Sequence, residues 1–405
     1  MDDAANLPAS TVRYAKKRDA IVAAAINILN ARGVKGMTLA DVAASVGLIT
    51  TSVTYYFKKK EDLAAACFLS GIAQFEAMAD DALTAKGGEA QLRRFIDLYL
   101  EAKAAIRNDE RAPLPVFSDV RALNQPQLAH VTAVYADMFR KVRRFFWDGV
   151  DLEGRPSANA RTHLLMEQLY WAVIWLPRFE VEDYPRIRDR IADILINGLA
   201  PDGAKWRPEA LNLEPANAET AAQETFLVAA TRLINLRGYR GASVEKISAE
   251  LNVTKGSFYH HNEAKDDLVE ACFERTFDMV RQVQSASMRL DGSQWTRLCS
   301  AAAGLVDYQM SEHGPLLRTA ALAALPMPIR ARVVDQSNRL SDRFAAMISD
   351  GIAEGSIRPV DPVIAAQMLN ATLNAAADLL FWVRGVPADR AVDLYARPML
   401  MGVFS

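Results

Sequence analysis

Two short stretches of this sequence gather hydroxyls, rings and amines around a single apolar position. Thr50, Thr51, Ser52, Thr54, Tyr55 and Tyr56 surround Val53; Lys255, Gly256, Ser257, Tyr259, His260 and His261 surround Phe258. On a helix with one inward anchor, such side chains face outward and suit the major groove of duplex DNA, where they meet base edges and phosphates. Lys60 and Lys265 follow at the start of the next segment, placed for a phosphate. Thr38 and Ser243 stand upstream as caps of a preceding short helix and join the same candidate set. Other chemistries are poorly served. His260 and His261 are adjacent and cannot both face one metal from a helix, and no Cys/His cluster has ligand spacing. His130, His163 and His313 are isolated, and no nucleophile–base–acid pattern or phosphate-cradling glycine loop occurs. The expectation is a protein that is not an enzyme, with no metal and no cofactor.

The elements that must position these residues occur twice. Residues 18–68 align without a gap on 223–273, with 14 of 51 positions identical, including Asn30/Asn235, Arg32/Arg237, Gly33/Gly238, Lys60/Lys265 and Ala66-Cys67-Phe68/Ala271-Cys272-Phe273. The ends agree as well, Asn197-Gly198-Leu199 lying 204 residues before Met401-Gly402-Val403. Two copies at this period describe a duplication, not a solenoid. Apolar residues recur at spacings of three and four, and alternating β-rich stretches are absent, so the fold class is all-α. Ile21, Ala24, Ala25, Ile28 and Leu29 form one face of a helix that Gly33 ends; Phe226, Ala229, Ala230, Leu233 and Ile234 repeat it before Gly238. A short helix, a tight turn at Gly47 or Asn252, and a second short helix at 49–56 or 254–261 then complete a helix-turn-helix in each half.

At this point the sequence resembles the TetR family of bacterial transcriptional regulators. The family pattern runs roughly Gly-Val-Ser-x-Gly-x-Leu-Tyr-x-His/Tyr-Phe-x-x-Lys-Glu-x-Leu. The first half offers Gly47, Leu48, Val53, Tyr56, Phe57, Lys60, Glu61 and Leu63, and departs at Ile49, Thr51 and Thr54. The second offers Val253, Thr254, Lys255, Gly256, Phe258, Tyr259, His261, Lys265, Asp266 and Leu268, and departs at Asn252 and Asn262. The resemblance implies a DNA-binding head followed by a larger helical domain that takes a small effector and supplies the dimer contact. The corresponding division is head 1–60, effector and dimerisation domain 61–200, linker 201–217, head 218–265, and effector and dimerisation domain 266–405. Since family members usually act as homodimers of roughly 200-residue chains, two joined units imply an intramolecular pseudo-dimer. Its four-helix bundle would be built from 158–176 with 184–199 and 361–384 with 388–403. The readers differ at Thr50/Lys255, Thr51/Gly256, Thr54/Tyr259, Tyr55/His260 and Tyr56/His261, so the half-sites of the operator DNA are expected to be unlike.

Effector pockets between helices are mostly apolar with a few polar groups. Candidates are Tyr99, Trp147, His163, Glu167, Tyr170 and Trp171 in the first half, and Tyr308, Phe344, Met347, Met368 and Asn370 in the second. They suggest a small hydrophobic or aromatic ligand. Composition alone would have argued against nucleic acid, since the net charge of the 405 residues is -2. Position corrects this: residues 1–68 hold nine Lys/Arg against six Asp/Glu, a net of +3, whereas 206–273 hold seven against ten, a net of -3. Arg13, Lys16, Lys17 and Arg18 are placed either for a basic arm on DNA or for a solvated tail. Three cysteines cannot make a disulfide framework, the first residues carry no signal-peptide core, and no stretch is long enough to span a membrane. The expectation is a cytoplasmic protein. The competing reading is a degenerate family member that binds a small molecule or a protein partner without reading DNA.

Overall fold

The break at Gly33 sets the geometry of the first head. Its φ of 67° is a left-handed conformation that glycine alone adopts without strain, and it splits helix α1 (Ala9–Gly36) just before the short helices begin. The computed structural model describes residues 9–147, 149, 154–213, 221–238, 246–247, 249, 265–318, 322, 325, 327–383, 386–387 and 389–405. Among them every regular element is helical, and no strand occurs.

After α1 come α2 (Leu39–Ser45), α3 (Thr50–Tyr56), α4 (Lys60–Ala82), α5 (Gly88–Arg107), a 3-10 turn (Phe117–Ala122), α6 (Gln127–Arg143), α7 (Arg155–Trp175) and α8 (Tyr184–Asn197). The second half follows with α9 (Ala221–Arg237), α10 (Lys265–Met288), α11 (Gln294–Met310), α12 (Met327–Ala353), α13 (Pro362–Ala375) and α14 (Leu379–Trp382). A C-terminal helical stretch, 389–401, contains a π turn at Val392–Ala396. In the first half α4 packs on α1, α5 and α6; in the second α10 packs on α9, α11 and α12. The repetition extends to single contacts. The Cys67 thiol lies 3.8 Å from the Val22 carbonyl, and the Cys272 thiol the same distance from Leu227. Asn30 donates to the Leu114 carbonyl and accepts from the Val116 N–H, both at 2.9 Å; Asn235 does the same with Leu316 at 2.9 Å and Arg318 at 3.0 Å.

The halves meet along α7 and α8 on one side and α13 with 389–401 on the other. Leu164, Leu165, Met166 and Leu169 of α7 and Ile364, Ala365, Met368 and Leu369 of α13 are all buried, which is why both helices are apolar nearly all round. Each fully buried large side chain contributes roughly 1.5–3 kcal/mol. Polar bonds fix the register. Gln168 donates to Thr372 Oγ1 at 2.9 Å, Trp171 Nε1 to Gln367 at 3.2 Å, and His163 Nε2 lies 3.2 Å from the Ala375 carbonyl. With the offset of 204, Gln168 faces its own equivalent, and the Trp171–Gln367 contact maps onto Ala375–His163. Gly198 (φ 68°) and Gly402 (φ 103°) form another such pair. A Cβ on Gly198 would lie 2.3 Å from the Leu400 carbonyl, and one on Gly402 would lie 2.3 Å from that of Ile196. An isologous interface repeats its contacts in this way.

The described part of the connection, 201–213, runs along the second half. Trp206 donates to Asp393 at 2.8 Å, the Glu209 N–H to Ser300 at 2.8 Å, and Trp295 to the Lys205 carbonyl at 3.1 Å.

Candidate nucleic-acid interface and effector cavity

In the first head α2 and α3 are joined by a turn in which Gly47 has φ 66°. Thr38 caps α2, its hydroxyl accepting the Asp41 N–H at 3.1 Å. Val53 is 0% exposed and anchors α3 to the core, so the rest of that helix faces outward. Thr50, Thr51 and Tyr55 are exposed, while Ser52, Thr54 and Tyr56 are half-buried; Thr54 donates back to the Thr51 carbonyl at 2.9 Å. Tyr55 is 66% exposed, and its ring forms a cluster with Tyr56 at 5.2 Å and Tyr14 at 6.0 Å. Lys60 donates to the Lys35 carbonyl at 3.1 Å, tying the start of α4 to the end of α1 with ammonium protons to spare. Arg13, Lys16 and Lys17 lie exposed on the first turns of α1, so this run is helix and not an extended arm. Arg18 stacks over the Phe57 ring at 5.3 Å. Sequence reasoning missed Ile49, an apolar side chain that is 71% exposed at the entrance of α3. Its departure from the family pattern was the available signal. In the second head Ser243, Lys255, Gly256, Ser257, Tyr259, His260 and His261 lie outside the described residues, and Lys265 opens α10.

A cavity of about 520 Å³ lies behind the first head. Tyr99, Glu167, Tyr170 and Trp171 line it, with Phe75 of α4, Lys103 of α5, the segment 113–117, and Tyr135 of α6. The second half supplies Leu236, Arg318, Leu322, Asp378, Phe381 and Trp382. The aromatic wall is interlocked. Phe75 stacks on Tyr99 at 5.9 Å and meets Tyr170 at 5.7 Å, Phe117 meets Tyr170 at 5.4 Å, and Trp382 stacks on Phe139 at 3.8 Å. Tyr170 donates to the Tyr135 hydroxyl at 3.1 Å, and burial pushes both phenols well above their usual pKa, so both stay neutral. At one side Arg318 pairs with Asp378 and, at 3.6 Å, with Glu167, while Arg121 reaches Asp378 at 3.2 Å. Burial works to raise the Asp378 pKa, but the Arg318 and Arg121 guanidiniums outweigh it and hold the carboxyl below its usual range.

The cavity is coupled to both lead-in helices. Asn30 holds the wall segment at Leu114 and Val116, and Asp119 Oδ2 accepts the Val34 N–H at 2.5 Å just past the Gly33 break. Arg121 donates to the Asn235 carbonyl of α9 at 2.6 Å.

The remaining effector candidates lie elsewhere. Trp147 sits under the Arg143 guanidinium at 4.8 Å, and His163 is buried in the seam against Tyr395 at 5.4 Å. Tyr308 accepts from Arg275 at 2.9 Å; Phe344, Met347 and Met368 are core, and Asn370 donates to Ser341 at 2.6 Å. Sequence reasoning missed Phe75, Phe117 and Tyr135, which aromatic spacing on helices could have suggested. It also missed Arg318, Asp378 and Trp382, which reach the cavity from the other half. The buried thiols are poor nucleophiles: burial pushes Cys67 and Cys272 up to about 12.

Comparison with known proteins agrees with these features. The family model described as "Bacterial regulatory proteins, tetR family" matches residues 21–67 and again 226–272. The "Tetracyclin repressor-like, C-terminal domain" matches 291–378. The Transposon Tn10 TetC protein of Escherichia coli is 31% identical over 81 residues, which is 20% of this chain and 41% of TetC. The HTH-type transcriptional repressor DhaR of Mycobacterium sp. (strain GP1) is 26% identical over 163 residues, 39% of this chain and 82% of DhaR. Among solved structures, the TetR-family regulator PfmR from Thermus thermophilus is 19% identical and covers 44% of this chain and 97% of its own, with a TM-score of 0.37. The chain belongs to the TetR family of bacterial regulatory proteins and carries two of its N-terminal domains in tandem.

Proposed function

We propose that this protein is a ligand-responsive transcriptional repressor whose two halves act as the two subunits of a dimer on one operator with unlike half-sites. The observation that carries the reading is the seam, where Gln168 meets Thr372 and Gly198 meets Gly402, positions 204 residues apart that a two-fold axis would bring together. The division into two heads, a linker and two helical domains is part of the same reading. The sign, repression, is that of the relative DhaR. In the first head Thr50, Thr51, Tyr55 and Ile49 read the major groove, Ile49 through apolar contact with a thymine methyl, while Lys60 and the basic turns of α1 hold phosphates. The candidate positions of the second head, from Ser243 to Lys265, read the other half-site.

The effector enters the cavity behind the first head. A ligand pressing on 113–117 displaces the segment that Asn30 and Asp119 clamp to α1, and Arg121 carries the same displacement to α9. Ligand affinity must then differ between the two head spacings, only one of which fits successive major grooves, on the order of 34–36 Å apart.

Light scattering tests the architecture: one chain of 44.6 kDa per operator is expected, and a compulsory dimer of chains would overturn it. Binding-site selection tests the asymmetry, and a perfect palindrome would count against it. A salt titration separates this reading from a family member that does not read DNA. The expected result is a steep loss of affinity with salt, with a slope reduced by about one in Lys60→Ala.

A further inference from the structure

Lys103 is a half-buried charge in the cavity wall. Tyr99, Lys103 and Ile106 follow one another on a single face of α5, and all three line the cavity. The charges at the other side are matched: Arg318 and Arg121 on Asp378, Arg318 also on Glu167. No ion pair or hydrogen bond among the described residues holds the Lys103 ammonium, and burial pushes its pKa down. With Arg330, the wall carries four cations against two carboxylates. An ammonium without a partner in apolar surroundings is costly, and an anion inside the cavity would remove that cost.

We infer that the cavity takes a hydrophobic monocarboxylate, its apolar body among Phe75, Tyr99, Tyr170 and Trp171 and its carboxylate on Lys103. The inference rests on reading this cavity as the effector site. A charge-assisted hydrogen bond in such a setting changes affinity by about tenfold or more.

The test uses the full chain with the fluorescent neutral probe N-phenyl-1-naphthylamine, displaced by pairs that differ in the acid group: decanoate against 1-decanol, and 2-naphthoate against 2-naphthol. Carboxylates are expected to displace the probe at least about tenfold better than their neutral counterparts. Lys103→Met should abolish that advantage without weakening the alcohols, and Lys103→Arg should keep it. Equal competition by acid and alcohol, failure of both acids to compete, or an advantage that survives Lys103→Met overturns the inference. A probe that does not bind at all removes the cavity reading along with it. Operator affinity measured with saturating decanoate or 2-naphthoate is the separate arm. If the carboxylate binds through Lys103 while DNA affinity stays unchanged, the effector reading fails and the ligand class stands.

Discussion

The two halves of the chain share their scaffold contacts and differ in what fills the space between them. Gly71 of α4 lies against Pro115, where a Cβ would come within 2.3 Å of the proline ring. The matching residue of α10 is Thr276, whose hydroxyl accepts the Leu317 N–H at 2.9 Å. Proline has no N–H to satisfy and needs room for its ring, so glycine suffices; leucine has a buried N–H that needs an acceptor. Beyond this point the contrast widens. The first half surrounds a cavity with aromatic rings. The second half instead runs the Arg275 side chain, 5% exposed, through its interior to Glu224 at 2.6 Å, to Tyr308, and to the Pro315 carbonyl at 3.2 Å. The asparagine hooks and the thiol contacts stay the same in both. These contacts of the lead-in helices are therefore common to the halves, while the interiors have taken separate directions.

Arg275→Met should break this comparison most visibly. Removing the guanidinium leaves Glu224 and the carbonyls of Pro315 and His313 without their partner, at a cost of roughly 3–5 kcal/mol in denaturant unfolding. The aligned change Ser70→Ala in the first half should stay within about 0.5 kcal/mol. Equal effects would mean that the interiors are not organised differently. Next in size, Asp378→Asn should cost about 2–3 kcal/mol, because Arg318 and Arg121 lose their shared carboxylate between the halves. Its pH dependence has a defined sign. The folded-state pKa of Asp378 is lowered, so its contribution is fully present above the ordinary carboxylate range and is lost on acidification below about pH 4. In the asparagine variant that part of the acid destabilisation should disappear.

A smaller effect sharpens the glycine–threonine contrast. Gly71→Ala should destabilise by about 1–3 kcal/mol through overlap with Pro115, whereas Gly71→Thr combined with Pro115→Leu should recover part of the loss by recreating the second half's bond. The smallest expected effect is none. With both thiols buried, Cys67 and Cys272 should resist a maleimide alike at pH 8 in the native protein and react only on unfolding. Faster labelling of one would expose a difference in how the two lead-in helices are packed.

Local features were legible in the sequence because they depend on neighbours a few residues away. Gly33 and Gly47 adopt the left-handed conformations expected of them, and Val53 is the single inward anchor of its helix. The duplication made Cys67 and Cys272 recognisable as equivalent core positions. The apolar surface of 164–176 pointed to a helix packed on more than one side, as α7 is. The cavity was only half legible. Tyr99, Glu167, Tyr170 and Trp171 share it, but Asp378 reaches Arg121 across 257 positions, and no periodicity within one half encodes such a contact. Nothing in the sequence singles out Lys103 between Ala102 and Ala104; only the packing of α5 brings it to the cavity. The basic run at 13–18 is helical for a local reason, since Ala15 and the lysines that follow it favour continuing the helix.

The facing pair Gln168 and Thr372 has a consequence for how such a molecule can change. In an assembly of identical chains, any substitution on the axis confronts itself, so a glutamine there must be compatible with a second glutamine. One gene for both sides lifts that restriction, and each partner can drift toward the other's chemistry independently. Tethering also keeps the local concentration of one half around the other in the millimolar range, far above that of a scarce cellular protein. In the proposed single-chain pairing the arrangement would therefore not fade on dilution, and a few copies per cell would remain assembled.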